Sequence, residues 1–140
     1  MTGRDTPSAA SGSPRASRTP LVVVDGANVV GSVPDGWWRD RRGAAIRLRD
    51  RLRGYPEPVE MVLVVEGAAR GVASVPGVRV ESAPGSGDDR IVELVRDEGS
   101  GRRCLVVTAD RGLRARVTEL GAEVAGPRAM SFPDDRGPTG

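Results

Sequence analysis

The chain has 140 residues, in which 21 basic side chains balance 19 acidic ones and histidine is absent. Every basic residue is arginine, Cys104 is the single cysteine, and the aromatics are Trp37, Trp38, Tyr55 and Phe132. These absences exclude histidine-relay hydrolases, His or Cys zinc centres, internal disulfides, Walker P-loops and lysine Schiff bases, and leave carboxylate, arginine, hydroxyl and amide chemistry.

Residues 1–19 contain no Val, Ile, Leu or aromatic side chain. Such a segment cannot offset its ordering entropy by burial and reads as a disordered tail. The run Leu21-Val22-Val23-Val24 is short, continuous and β-branched, as a strand covered on both faces should be. Over 40–53, Ala45, Leu48 and Leu52 share one face of a helix. A second strand follows in Met61-Val62-Leu63-Val64-Val65, and a shorter one in Val78-Arg79-Val80. Ile91, Leu94 and Val95 predict a helix over 88–98, and Cys104-Leu105-Val106-Val107 a strand. Leu113, Val117 and Leu120 predict a helix over 111–120, stopped by Gly121, before a last strand at Glu123-Val124-Ala125. Residues 134–140 read as a second disordered tail, so the folded unit spans 20–133. Strand–helix alternation predicts a doubly wound α/β fold with about five mostly parallel strands. No run approaches the ~18 apolar residues of a membrane span, and no apolar leader is present, so a soluble cytoplasmic protein is expected.

The acids fall where a site would form. Asp25 follows the first strand, Glu66 the second, and Asp110 closes Val107-Thr108-Ala109-Asp110 after the next long strand. Asp88 and Asp89 open a helix that runs into the Cys104 strand. In a parallel sheet all five lie on the C-terminal edge, where open α/β sheets place their ligands. Like charges so close need a cation or a proton, and carboxylates without His or Cys suit Mg²⁺ or Mn²⁺. Each acid also has a plainer role open to it. Asp110 and Asp88 can be helix N-caps, Asp25-Gly26 a turn, and Glu66 a solvated loop acid, while Asn28 can sit in a left-handed turn.

Three segments together resemble the NYN domain of the PIN-like nuclease superfamily, with the bacterial YacP-like branch nearest. They are Val22-Val23-Val24-Asp25-Gly26-Ala27-Asn28-Val29-Val30, Gly87-Asp88-Asp89-Arg90-Ile91-Val92, and Val106-Val107-Thr108-Ala109-Asp110-Arg111-Gly112-Leu113. The likeness spans most of 20–128, and Leu120 to Arg128 is similar to the last strand of that family. The resemblance implies a three-layer sandwich around a parallel sheet, one or two Mg²⁺ or Mn²⁺ ions, and hydrolysis of RNA phosphodiesters. By position, Asp25 would be the main metal ligand, Asp88 or Asp89 the third carboxylate, and Asp110 the fourth. Asn28 would orient ligand or substrate, with Thr108 nearby. Glu66 stands where flap-type relatives have an Asp-Gly. Two acids of those relatives are absent: Gly85-Ser86-Gly87 replaces a glutamate before the Asp pair, and Gly112 replaces the second acid of an Asp-x-Asp. A thinner ligand set implies weaker metal binding or one tightly held ion.

Charge is segregated along the chain. Segment 39–53 has seven arginines and two aspartates, 54–101 has four arginines and nine acids, and 102–116 has five arginines and one aspartate. An acidic pocket between basic segments is the layout of a phosphate-backbone reader, or else of solvated helix faces. Arg111, Arg90 and Arg128 are candidates for phosphate contact, each also acceptable as a surface arginine. Trp37 and Trp38 can stack on bases or pack their loop on the core. The reading is therefore a metal-dependent ribonuclease acting on short or structured RNA, with the oligomeric state open and a homodimer among the options. The alternatives are a nucleotide (NTP) phosphohydrolase or pyrophosphohydrolase, and a noncatalytic RNA-binding module. Asp25 is followed by Gly-Ala rather than a second acid, which disfavours a haloacid-type phosphatase.

Overall fold

The computed structural model describes residues 19–33 and 36–130. Both expected tails fall largely outside these residues. Five strands, β1 (Leu21–Asp25), β2 (Glu60–Val65), β3 (Val78–Ser82), β4 (Cys104–Val107) and β5 (Glu123–Ala125), form one sheet in the order β3-β2-β1-β4-β5. Every neighbouring pair is parallel. Four α-helices join them: α1 (Gly26–Gly31), α2 (Arg41–Leu52), α3 (Gly87–Glu98) and α4 (Arg111–Glu119).

The strands that are apolar on both faces are covered on both faces. Leu21 and Val23 of β1, with Val62 and Val64 of β2, pack beneath Ile91, Leu94 and Val95 of α3 and Leu113 and Val117 of α4. Val22 and Val24, with Met61, Leu63 and Val65, pack beneath Ala45, Leu48 and Leu52 of α2 and Val29 of α1. Period-two alternation therefore feeds two separate cores and makes three layers. Each fully buried Val or Leu contributes about 1.5–3 kcal/mol from burial.

The helices expected over 40–53, 88–98 and 111–120 form within about a residue of those bounds. Helix α1 was not expected, since the segment after Asp25 reads as a turn entering a loop. Asp25 makes it possible by capping it, accepting from the Asn28 N–H at 3.4 Å. Gly26 also permits it: a Cβ there would stand 2.5 Å from the Val64 carbonyl oxygen, so only glycine lets the chain turn this close to β2. Between β2 and β3 no α-helix intervenes, only a 3₁₀ turn (Gly67–Ala69) and a loop. Arg42 donates to the carbonyls of Arg70 and Gly71, and Arg49 to that of Ala73, so two α2 arginines hold this loop in place.

Strand order sets the site. The chain moves from β1 outward through β2 to β3, then crosses back to β4 and outward to β5. The order reverses between β1 and β4, so the loops leaving their C-terminal ends diverge and open a crevice between Asp25 and Asp110.

Candidate functional site

Asp25 ends β1 and is only 6% exposed. Its Oδ2 accepts from Thr108 Oγ1 at 2.9 Å and its Oδ1 from the Asn28 N–H. Burial pushes its carboxyl above the usual aspartate range, the two hydrogen bonds pull it back, and the charges of Asp88 and Glu66 push it further up.

Thr108 is fully buried, and its hydroxyl is used twice. It donates to Asp25 and accepts from the Asp110 N–H at 3.1 Å. Asp110 caps α4, its Oδ1 accepting from the Leu113 N–H at 2.9 Å. Asn28 Oδ1 accepts from the Ala109 N–H at 2.8 Å. The β1–α1 and β4–α4 corners are thus tied across the crevice by two side chains. Thr108, expected near the substrate, is a buried hydroxyl that both donates and accepts here, and it positions Asp25 and Asp110. Asn28 turns its carbonyl oxygen to the same tie, not into a left-handed turn.

Glu66 follows β2, and its Oε1 accepts from the Gly87 N–H at 2.6 Å. A Cβ on residue 87 would lie 2.5 Å from that oxygen, so glycine there lets the glutamate reach the start of α3. Asp88 sits in the first turn of α3, half-buried. It makes no side-chain hydrogen bond or ion pair among the described residues. Its carboxyl is pushed up by burial first, then by Asp110, Glu66 and Asp89, with Arg116 opposing. The cap of α3 is Ser86, accepting from the Asp89 N–H, so the capping role open to Asp88 belongs to the serine. Asp89 turns outward, is 70% exposed, and pairs with Arg116 at 3.1 Å. Asp25, Glu66, Asp88 and Asp110 therefore share one electrostatic neighbourhood, and Asp89 lies at its rim.

This donor set has the chemistry of a hard-cation site: carboxylate oxygens only, mutually repelling, with Arg116 as the opposing charge on Asp88. As placed, no three acids of the described residues stand close enough to hold one ion. The donor class fits Mg²⁺ or Mn²⁺, and closure around an ion would need the uncommitted Asp88 and the free oxygens of Glu66 and Asp110.

The arginines divide differently from expectation. Arg90 is turned away from the site: its guanidinium is taken by Glu81 at 2.8 Å and Glu93 at 3.0 Å. Arg111, in the first turn of α4, is exposed beside Asp110. Arg128 is exposed on a 3₁₀ turn (Pro127–Met130). Two arginines that sequence reasoning missed touch the site. Arg116 pairs with Asp89, and Arg114 Nε donates to the Thr108 carbonyl at 2.8 Å. Their signal was positional, since both lie within two turns of Asp110 on α4.

Trp37 is half-buried on a 3₁₀ turn (Trp37–Arg39), its ring against Gly31. It helps line a cleft of about 90 Å³ with Gly26, Ala27, Val30, Arg41 and Glu66, beside the acids. Trp38 is 55% exposed. The rings meet edge to face at 6.1 Å, with Arg41 5.4 Å from the Trp37 centroid and Arg39 5.7 Å from that of Trp38. One ring packs and one is presented to solvent. No helix of the described residues is long and apolar enough to cross a membrane.

No protein-family model and no curated protein sequence matches the chain. Among solved structures it is similar to a point mutant of Rae1 (YacP) from Bacillus subtilis, with a TM-score of 0.67 and 18% sequence identity over 80% of this chain and 72% of that one. At that identity the likeness is one of architecture: the chain has a YacP-like, PIN-like α/β fold.

Proposed function

We propose that the chain is an NYN-type member of the PIN-like superfamily and a metal-dependent ribonuclease, hydrolysing RNA phosphodiesters at the crevice between β1 and β4. The observation that carries this reading is the tie of Asp25 to Asp110 through Thr108, at the switch point of the sheet and in electrostatic contact with Asp88 and Glu66. Mere capping and turn roles do not call for a buried carboxylate whose charge is opposed by two others.

Asp25, Asp110 and Asp88, with Glu66 beside them, would hold Mg²⁺ or Mn²⁺. When bound, such an ion lowers the pKa of a water toward neutrality and offsets charge developing at phosphorus. The chain's own residues supply the rest. Thr108 aims its proton at Asp25 Oδ2, which favours the ionised form of that carboxyl against the effect of burial and holds it in one orientation. Asn28 fixes the approach of the β4–α4 corner. Asp88, half-buried and without a hydrogen-bond partner among the described residues, is the carboxylate left free to complete the shell of the ion or to align the attacking water. Arg111, exposed one residue beyond Asp110, is placed to receive a phosphate oxygen.

The test is cleavage of short single-stranded RNA by purified protein in Mn²⁺ or Mg²⁺, with EDTA as control, alongside a panel of nucleoside triphosphates. Ribonuclease action predicts RNA fragments that vanish with EDTA and with Asp25→Asn or Asp110→Asn. Hydrolysis of triphosphates with intact RNA would replace the reading with a phosphohydrolase. Full RNA cleavage by either variant, under conditions where EDTA stops the parent, would falsify it.

A further inference from the structure

The cleft beside Trp37 does not end there. A second cleft of about 130 Å³ lies between α1 and α2, lined by Val30, Val33, Ala44, Arg47, Leu48 and Arg51. Val30 of α1 lines both clefts, and α2 lines each from a different side: Arg41 and Ala45 the first, Ala44, Arg47, Leu48 and Arg51 the second. The two clefts therefore adjoin at Val30, along the α1–α2 seam. It starts at Glu66 and Trp37, next to the acids, and leads away from them along α2. From Arg41 to Arg51 the helix rises about 15 Å.

The lining has a consistent chemistry. Its floor is small or aliphatic, its rim carries arginines, and its one acid, Glu66, stands at the catalytic end. At that end the Trp37 ring has the Arg41 guanidinium 5.4 Å from its centre. A ring beside a cation, followed by arginines over an apolar floor, matches a strand of alternating flat bases and phosphates. An acidic peptide would satisfy the arginines but has no particular use for the Trp37 ring.

We propose that the α1–α2 groove is a single-strand track, which seats a few nucleotides of RNA leaving the acidic crevice, with a base against Trp37 and a phosphate at Arg51. The proposal rests on the ribonuclease reading for its direction, but not for its test. Binding is measured with the full chain carrying Asp25→Asn, in EDTA, by anisotropy of a fluorescein-labelled single-stranded RNA of about eight nucleotides. Arg51→Glu and Trp37→Leu are compared with Arg103→Glu, which makes the same charge change as Arg51→Glu at a residue paired with Glu123 beside β5, away from the groove.

Arg51→Glu should weaken binding at least tenfold and flatten its salt dependence, and Arg103→Glu should do neither. Trp37→Leu should weaken it about five- to hundredfold while the salt slope is kept. If Arg51→Glu weakens binding no more than Arg103→Glu, the track is overturned. It is also overturned if polyglutamate displaces the RNA equally well from the parent and from Trp37→Leu, since the groove would then read charge alone. Should Trp37→Leu fail to fold, Arg51→Glu, at an exposed position, still decides. Groove-dependent binding without cleavage by the parent chain would support the track and remove the ribonuclease reading. Cleavage with groove-independent binding would do the reverse.

Discussion

Thr108 Oγ1 donates to Asp25 Oδ2 at 2.9 Å, and both residues are buried. Each satisfies the other, and the remaining lone pair of the hydroxyl accepts the Asp110 N–H. Thr108→Val keeps the shape but removes both bonds. It should cost about 1–3 kcal/mol of stability, because a buried carboxylate and an N–H lose partners. Asp25 would also lose the bond that favours its ionised form, so its pKa should rise further. The acidic limb of the pH–rate profile should move to higher pH, and Thr108→Ser should restore it. A limb that stays in place in Thr108→Val would show that Asp25 does not depend on this hydroxyl.

Asp25 should exchange stability for function. Burial raises its carboxyl, so the fold favours the protonated form. That contribution is complete below the ordinary aspartate pKa of about 3.9 and is lost as pH rises through the raised folded value. At neutral pH the folded chain carries an unfavourable charge that Asp25→Asn removes. The variant should therefore melt a few degrees above the metal-free parent near pH 7, with the gap closing in acid. Mn²⁺ at about ten times its dissociation constant should stabilise the parent by about 1.4 kcal/mol and leave Asp25→Asn nearly unmoved. Equal metal-induced shifts in both proteins would place the ion elsewhere.

Gly87 and Glu66 should behave as one unit. Alanine at 87 would put a Cβ 2.5 Å from Glu66 Oε1, and the glutamate can escape only by leaving the Gly87 N–H. Gly87→Ala should then reproduce the activity loss of Glu66→Ala, and the double variant should be no worse than either. Additive losses in that double-mutant cycle would mean that the two positions act independently.

Much of this arrangement is legible in the sequence, and what is not has physical causes. Val22-Val23-Val24 and Met61 to Val65 are apolar at every position, which a two-faced parallel strand demands and a surface strand does not. Asp25, Glu66 and Asp110 could be placed because a strand's last residue fixes which sheet edge it occupies. Rotation about a helix could not be read in the same way. Neighbours on α3 diverge by about 100°, so Asp88 faces the crevice, Asp89 faces solvent, and Arg90 is carried round to Glu81. Helix α1 is not legible in the sequence because the β-branched Val29-Val30 pair is a poor helix former, and only the Asp25 cap on the Asn28 N–H compensates for it. The two uses of the Thr108 hydroxyl depend on strands β1 and β4 being neighbours, which no local pattern states.

Glu98 should show the pH dependence opposite to that of Asp25. Arg79 donates to both of its oxygens, at 2.8 and 2.7 Å, and also to Glu81 at 2.7 Å, joining the C-terminal turn of α3 to β3. The Arg79 hydrogen bonds hold the Glu98 carboxyl below the usual glutamate range, against a smaller opposing effect of burial. A depressed folded pKa means that the stabilisation is present above the ordinary value of about 4.3 and is lost as pH falls through the lower folded value. Both side chains are about a third exposed, which limits the pair to roughly 1 kcal/mol. Glu98→Gln should therefore lower the melting temperature by a few degrees at pH 7, and the two proteins should converge in acid. Over the same descent in pH the parent should regain what Asp25 costs it. The two carboxylates therefore act on stability in opposite senses, Glu98 favouring higher pH and Asp25 lower pH, and Asp25→Asn should remove the loss that Asp25 causes towards neutral pH. A pH–melting series on the parent, Glu98→Gln and Asp25→Asn checks both slopes. Parallel curves for all three would refute the assignment of either slope to these carboxylates.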